Sequence, residues 1–258
     1  MQSQKVTEHI VEWLKKYSAD SKTQGFVIGI SGGIDSAVTS TLCALTGKRT
    51  LVLNMPIRQF KNEFERGHEH IQWLKNKFKN VEAETVELTS VFESIENAFP
   101  QGIQDFLTMA NTRARLRMTC LYAFATNHKL LVAGTGNKVE DFGVGFFTKY
   151  GDGGVDISPI ADLYKTEVFA LGKHLGIVES ILRAKPTDGL FEDGRSDEDQ
   201  IGATYPELEW AMEYISKKEN YSLNERQKEV MEIYLVRNRA NLHKIKPIPV
   251  CLIPQNLK

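Results

Sequence analysis

The sequence has few cysteines and no long apolar segment, and these absences exclude several classes of protein. Its three cysteines, Cys43, Cys120 and Cys251, are widely spaced and include no C-x-x-C pair of a zinc or redox site. This pattern predicts packing thiols in a reducing compartment rather than a disulfide framework. No apolar run approaches the roughly 18 residues that cross a bilayer, and charges interrupt the first amphipathic stretch. We therefore expect a cytoplasmic protein with no membrane partner.

The chain also lacks a net charge of either sign. Its 32 lysines and arginines face 33 aspartates and glutamates, which gives a formal net charge of −1. This balance predicts no general attraction to nucleic acid, so any phosphate site must be local. Hydrophobic residues make up 41% and charged residues 25%, as in a folded globular protein. Because no linker or repeat divides the 258 residues, we expect a single domain over residues 1–258.

Apolar periodicity predicts strands that alternate with helices. Short β-branched runs, typical of strands buried on both faces, occupy residues 25–30, 50–54, 83–88 and 129–136. Amphipathic spacing predicts helices near residues 6–17, 37–47, 64–78, 103–126, 164–175, 207–217 and 223–238. The glycine-rich stretch 134–154 and the polar stretch 185–200 are expected to be irregular loops. The alternation favours an α/β fold with a doubly wound parallel sheet and flanking helices.

The segment SGGIDS, residues 31–36, lies between the first predicted strand and the next helix. Backbone N–H groups and the helix dipole make such a turn an anion site, and Gly32 and Gly33 allow close approach of a ligand. The segment has neither the Walker lysine nor the spacing of the dinucleotide fingerprint. Asp35 would repel phosphates unless a divalent cation lay between them, and its oxygens suit Mg²⁺. The residues therefore predict a phosphate loop with a magnesium ligand, or alternatively an aspartate that only caps the helix.

This loop after the strand GFVIGI resembles the phosphate loop of the ATP pyrophosphatases, which cleave ATP to AMP and pyrophosphate. Within that superfamily, GTGNKVED, FFTKYGDGGVD and the upstream NTRARLRM are similar to segments of the ammonia-dependent NAD synthetases. The resemblance covers residues 25–258. It implies a Rossmann-like sheet of the adenine-nucleotide alpha hydrolase type, in a homodimer that requires Mg²⁺. The implied reaction is the ATP-dependent amidation of deamido-NAD to NAD through an adenylate. Since the chain begins close to this region, we expect no glutaminase domain and free ammonia as the nitrogen donor.

The resemblance also assigns roles to individual residues. The expected ATP-binding residues are Gly29, Ile30, Ser31, Gly32, Gly33, Ile34, Asp35, Ser36, Thr135, Lys165 and Thr187. The expected deamido-NAD contacts are Arg115, Tyr122, Lys149, Asp156, His243 and Lys244. Asp35 and Glu140 would hold the magnesium ion, and Lys165 would offset the charge on the departing pyrophosphate. Asp152 would bind or deprotonate ammonia.

The segment NTRARLRM contains arginines at every second position, residues 113, 115 and 117, and on a helix they do not all lie on one face. Residues two apart differ by about 200° around a helix, so Arg113 and Arg117 share one face while Arg115 points away. The resemblance places Arg115 and Tyr122 at deamido-NAD. We therefore expect Arg113 and Arg117 to be surface or partner contacts.

Two other functions stay open from the sequence. One is another synthetase of the same superfamily, of the GMP or tRNA-modifying type, against which FTKYGDGG and the absent basic surface count. The other is an adenine-nucleotide-binding module without chemistry, which would leave the predicted magnesium carboxylates, Lys149, Lys165 and Asp152 unexplained. We also hypothesise that the polar stretch 185–200 closes over the adenylate to exclude water.

Overall fold

A computed structural model of the chain describes residues 1–59, 61–187, 196–219 and 221–258. A parallel sheet of four strands lies at its centre, in the order β3-β2-β1-β4. The strands are β1 (Gly25–Gly29), β2 (Arg49–Asn54), β3 (Val81–Thr85) and β4 (Leu130–Val132). In β1, β2 and β4 almost every residue is buried, as expected for strands covered on both faces.

Helices follow the strands along the chain. They are α1 (Ser3–Asp20), α2 (Ile34–Leu45), α3 (Lys61–Lys77), α4 (Thr89–Ala98), α5 (Phe106–His128), α6 (Lys165–Leu175), α7 (Glu179–Leu182), α8 (Asp197–Ile201), α9 (Tyr205–Lys217) and α10 (Glu225–Ile245). Short 3₁₀ turns occur at Gln101–Ile103 and Gln255–Leu257, and a π-helical turn at Val139–Val144. Of the helices in the described residues, none is both long enough and apolar enough to cross a membrane.

The two faces of the sheet are covered by different helices. Phe26 and Ile28 of β1 pack against side chains of α1, α2 and α6, whereas Val27 packs with α5 on the opposite face. Side chains of α3 pack against Val52 on the first face. The sheet is therefore the middle layer of three, which confirms the predicted doubly wound fold.

The strand order reverses between β1 and β4, the two strands that carry the functional segments predicted from the sequence. The chain leaves both strands at the same carboxyl edge, where open α/β folds bind ligands. A third apolar cluster lies outside the sheet, where the π-helical turn packs against α9 and α10. The fold thus places the loop after β1, the segment after β4 and the C-terminal helices around one edge.

Several predicted element bounds differ from the structure. The third strand is residues 81–85 rather than 83–88, because Val81 pairs with Thr50, while Leu88 instead precedes α4 and packs into the core. The helix α4 was not predicted, since Phe92 is its only buried residue. The stretch 134–154 is not wholly irregular, because Val139–Val144 form a π-helical turn.

The polar stretch 185–200 also contains regular structure, since α8 begins at Asp197 with a capping box from Ser196. Residues 188–195 of this stretch lie outside the described residues. The last helix, α10, extends to Ile245 and is longer than predicted.

We expect Leu208→Ala to destabilise the protein by about 2 to 5 kcal/mol, because it leaves a cavity in a well-packed cluster. Leu208 is fully buried (0% exposed) where α9 packs against the π-helical turn and α10. The free energy of unfolding from urea denaturation measures this. Ile215→Ala on the same helix is the matched control, because Ile215 is 42% exposed, and its cost should stay within about 0.5 kcal/mol. Equal costs would show that the cluster is loosely packed.

Candidate active site

The loop between β1 and α2 is held in a fixed conformation by its own serines. Ser36 Oγ donates to Gly33 O at 3.0 Å, the Ser31 and Ser36 hydroxyls lie 3.1 Å apart, and Gly33 N–H donates to Ser31 Oγ. Gly33 is the N-cap of α2, so the first N–H groups of that helix point into the loop. The loop thus has the geometry that favours an anion at a helix N-terminus, and phosphate binding there stays a prediction.

Gly32 is required by both the loop conformation and its neighbours. Its φ is +86°, a region that favours glycine, and a Cβ there would lie 2.5 Å from the carbonyl oxygen of Glu63 on α3. Arg66 on the same helix donates from Nε to Gly32 O at 3.3 Å. The loop is therefore packed against α3 without space for a side chain.

A cavity of about 690 Å³ opens at the carboxyl edge of the sheet, beside this loop. It is lined by these predicted ATP-binding residues: Gly29, Ile30, Ser31, Gly32, Gly33, Ile34, Asp35, Thr135, Lys165 and Thr187. Ser36 does not line it and supports the loop from behind. Glu140, Asp152 and Lys244 also line the cavity. The structure thus brings the predicted ATP, metal and ammonia residues to one space.

One buried ammonium joins the two predicted magnesium ligands. Lys165, at the start of α6, donates to Asp35 Oδ2 at 2.6 Å and to Glu140 Oε1 at 2.8 Å, with its side chain only 4% exposed. Burial disfavours the charged lysine, but the two carboxylates outweigh it and raise the pKa of Lys165. For Glu140, burial again acts against the charge, yet the Lys165 ammonium keeps its pKa below the usual range.

Two side chains that the sequence did not single out position these carboxylates. Tyr205 at the start of α9 donates its hydroxyl to Glu140 Oε1 at 2.6 Å, and Asn137 donates from Nδ2 to Asp35 Oδ1 at 3.1 Å. A role of Asn137 at the site could have been inferred from the sequence, because it follows the fourth strand in GTGN and so lies at the carboxyl edge of the sheet. No sequence signal distinguishes Tyr205 from an ordinary core tyrosine, because its contact depends on how α9 packs.

The donor set fits a divalent cation. Asp35 and Glu140 both contact the ammonium of Lys165 and both line the cavity, so carboxylate oxygens from two segments of the chain lie close together there. Mg²⁺ commonly takes one or two carboxylates and completes its shell with phosphates and water. Within residues 1–59, 61–187, 196–219 and 221–258, no group of three or more His, Cys, Asp or Glu side chains could hold a metal alone, so those other ligands would be needed.

The glycine-rich segment after the π-helical turn forms the other end of the cavity. Asp152 lines this end, and its Oδ1 accepts a hydrogen bond from Thr148 N–H at 2.9 Å. Its carboxylate is exposed, and partial desolvation by the surrounding protein raises its pKa. Lys244 of α10 donates to Phe147 O at 2.7 Å and to Gly145 O, which ties the segment to the C-terminal helix.

The predicted dinucleotide contacts lie mostly outside the cavity. Of the six, only Lys244 lines it. The others contact one another along α5: Tyr122 donates to Asp156 Oδ1, Arg115 to Lys149 O, and Lys149 to His243 O. They form a polar surface beside the cavity that is available to the distal part of a long ligand. Their assigned roles stay predictions.

The expectation that Arg113 and Arg117 are surface contacts is wrong. Both line the cavity, and only Arg115 is exposed. Helical geometry correctly placed Arg115 on a different face from the other two arginines. The face that Arg113 and Arg117 share, however, is the one that α5 presents to the edge of the sheet. That orientation depends on the packing of α5 against β1 and β4, which spacing alone does not reveal.

The hypothesis of a closing segment at residues 185–200 falls largely on residues 188–195, which lie outside the described residues. Thr187 and Gln200, on either side of that gap, line the cavity. The segment therefore begins and ends at the site.

Comparisons with known proteins agree on one family. A family model described as NAD synthase matches residues 6–247. An NH(3)-dependent NAD(+) synthetase from Mycoplasma genitalium is 39% identical over 231 residues, which cover 89% of both chains. One from Sulfurisphaera tokodaii is 40% identical over 205 residues, 79% of this chain and 71% of the relative.

Two solved structures resemble the whole chain. An NMN synthetase from Francisella tularensis has a TM-score of 0.85 and 32% identity, with 99% of each chain covered. An NH3-dependent NAD synthetase from Campylobacter jejuni has a TM-score of 0.80 and 26% identity, covering 98% of this chain and 100% of that one.

We expect Gly32→Ala to reduce ATP affinity at least tenfold, because a methyl group there meets the Glu63 carbonyl and forces the loop open. Isothermal titration with ATP and Mg²⁺ measures the change. Gly47→Ala is the matched control: Gly47 also has a positive φ, of +74°, but a Cβ there meets nothing within 4 Å. Equal affinities for the two variants would mean that the loop does not hold the phosphates.

Proposed function

The chain belongs to the NAD synthase family, and from that premise we propose that it amidates deamido-NAD with ammonia while ATP is cleaved to AMP and pyrophosphate. It is a ligase that forms a C–N bond. The observation that carries the proposal is the single cavity that holds the phosphate loop, Lys165 between two carboxylates, and Asp152. The family match over residues 6–247 sets aside the GMP-type and tRNA-modifying synthetases and the module without chemistry.

Phosphates are bound by the loop at the N-terminus of α2, whose N–H groups carry the positive end of the helix dipole. The nicotinate carboxylate attacks the α-phosphorus of ATP, and the bond to the pyrophosphate oxygen breaks. Lys165 on the cavity wall offsets the charge that develops on the departing pyrophosphate. This step needs no protein nucleophile, so the protein mainly positions the reactants.

Asp35 and Glu140 are the residues that would hold Mg²⁺. When bound, this ion would neutralise phosphate charge and polarise the phosphorus centre under attack. Tyr205 and Asn137 keep the two carboxylates in place through their hydrogen bonds.

The second step takes place at the other end of the cavity. Ammonia attacks the acyl carbon of the adenylate, the bond to AMP breaks, the nitrogen releases one proton to solvent, and the amide remains. Ammonia is mostly protonated at neutral pH, so one proton must be removed before the attack. We assign this role to Asp152, whose raised pKa would make it a stronger base than an ordinary carboxylate.

We further propose that the whole sequence acts as one catalytic domain, located in the cytoplasm, and that two copies form a homodimer. Large apolar side chains at the start of α5 support the dimer, because Phe106 and Leu107, which also line the cavity, are 47% and 65% exposed. A second copy docked there would cover this side of the cavity.

A second candidate substrate is nicotinate mononucleotide, whose amide is NMN. The observation that favours it is the structural match to an NMN synthetase, with a higher TM-score than the match to the NAD synthetase. The chemistry at the carboxylate would be the same. The two substrates differ only in the adenylate half, which the residues outside the cavity would contact.

We expect the purified protein to form AMP and an amide when it is supplied with ATP, Mg²⁺, ammonium and the acid substrate. Chromatography of the products, with deamido-NAD and nicotinate mononucleotide in parallel, identifies the substrate by its larger kcat/KM. Omission of ammonium is the control and should leave the amide unformed. ADP in place of AMP, or no amide from either acid, would contradict the proposed function.

Asp152→Asn is expected to lower amide formation at least about tenfold while it leaves adenylation within about threefold, because it removes a proton acceptor but retains the shape. Exchange of labelled pyrophosphate into ATP measures adenylation, and amide release measures the second step. Raising the pH should recover part of the lost rate, since more ammonia is then unprotonated. Equal loss of both steps would instead make Asp152 a general binding residue.

A further inference from the structure

One face of α5 forms an apolar wall of the cavity. Ala110, Ala114, Met118 and Leu121 recur at helical spacing along it, and all four line the cavity. Arg117 lies in the same stripe. A wall of small and apolar side chains that carries a guanidinium suits a flat aromatic ring with a negative group attached.

Arg117 uses little of its hydrogen-bonding capacity inside the protein. Its Nε donates to Met55 O at 3.0 Å, and no carboxylate of the described residues forms an ion pair with it. Burial first, and then the neighbouring charge of Arg113, lower the pKa of Arg117 to about 10, so it is still charged at neutral pH. A partly buried guanidinium with unused donors that lines a cavity is suited to bind an anionic ligand.

The segment opposite this wall approaches α5 closely. Gly151 packs so tightly that a Cβ on it would lie 2.9 Å from the Cβ of Ala114. Phe147 and Asp152 from the same segment line the cavity. The segment therefore packs directly against α5 at Ala114, and its Phe147 and Asp152 line the same cavity as the apolar wall.

In the proposed function, the phosphates of ATP are bound by the loop, the N-terminus of α2 and Lys165. Arg117 is not one of these groups; it lines the same cavity, and the charges that act on it include Glu63 and Asp152. A nicotinate ring packed on the apolar wall would bring its carboxylate to the guanidinium.

We propose that Arg117 binds the carboxylate of the nicotinate group and thereby distinguishes the acid substrate from the amide product. This inference rests on the proposed function and names a residue that it leaves unassigned. Guanidinium N–H groups match carboxylate oxygens, whereas the amide nitrogen of the product is itself a donor. Once the amide forms, a donor faces a donor, which favours release of the product.

The test compares binding of the acid and of the amide to the full chain by isothermal titration without ATP. Arg117→Met keeps an unbranched, flexible side chain and removes the guanidinium and its charge. We expect it to weaken deamido-NAD binding about 10- to 100-fold and NAD binding less than about threefold. Arg117→Lys keeps the charge but loses the planar donor set, so it should retain only part of the preference for the acid. Nicotinate mononucleotide and NMN form the equivalent pair for the second candidate substrate.

Arg49→Met is the matched control, because Arg49 pairs with Glu82 at the amino end of β2, far from the cavity. It should leave the affinities for acid, amide and ATP unchanged. The inference would be overturned if Arg117→Met weakened binding of the acid and of the amide equally, or weakened ATP binding more than either. The proposed function would still stand if the wild-type protein were active. A wild-type protein that forms neither amide nor AMP would overturn the function itself. If thermal melting shows that Arg117→Met does not fold, Arg117→Lys is used instead. A ratio of acid affinity to amide affinity equal to that of the wild type would then overturn the inference, and a lower ratio would support it.

Discussion

The site depends on the buried ammonium of Lys165. It lies where α6 begins and contacts carboxylates from α2 and from the π-helical turn, so three separate parts of the chain meet at one charge. Two acidic groups this close would repel each other without a cation between them. The ammonium supplies that cation and keeps the carboxylates aimed at one point. The position of the phosphate loop relative to the rest of the cavity follows from this contact.

Local sequence predicted those parts of the molecule whose structure is local. The strand GFVIGI followed by SGGIDS indicated a phosphate loop with Asp35 at the helix start, and the structure has that arrangement. Features that depend on packing were not predictable in this way. The side of α5 that faces the cavity, and hence the position of Arg117, follows from contacts with strands distant in sequence. The π-helical turn was missed because its glycines suggested a loop, whereas α9 and α10 hold it in a helical path.

The proposed function would divide the substrate between the cavity and the polar surface along α5. The reacting ends of ATP and of the acid would meet in the cavity of about 690 Å³. The remaining contacts expected for deamido-NAD lie outside it, at exposed or partly buried side chains such as Arg115 and Lys149. Chemistry at the carboxylate and choice between mononucleotide and dinucleotide would then be physically separate.

The C-terminal helix α10 forms hydrogen bonds with the segment 143–147, which the ribosome synthesises much earlier. Asn238 donates to Gly143 O, and Asn241 donates to Val144 O. Lys244 donates to Gly145 O and Phe147 O. These partners are 95 to 99 residues apart in the sequence. At translation speeds of about 5 to 20 residues per second, these anchors are synthesised roughly 5 to 20 s after the segment that they hold. Until α10 has been made, the segment that leads to Asp152 lacks the hydrogen bonds that hold it in the finished protein.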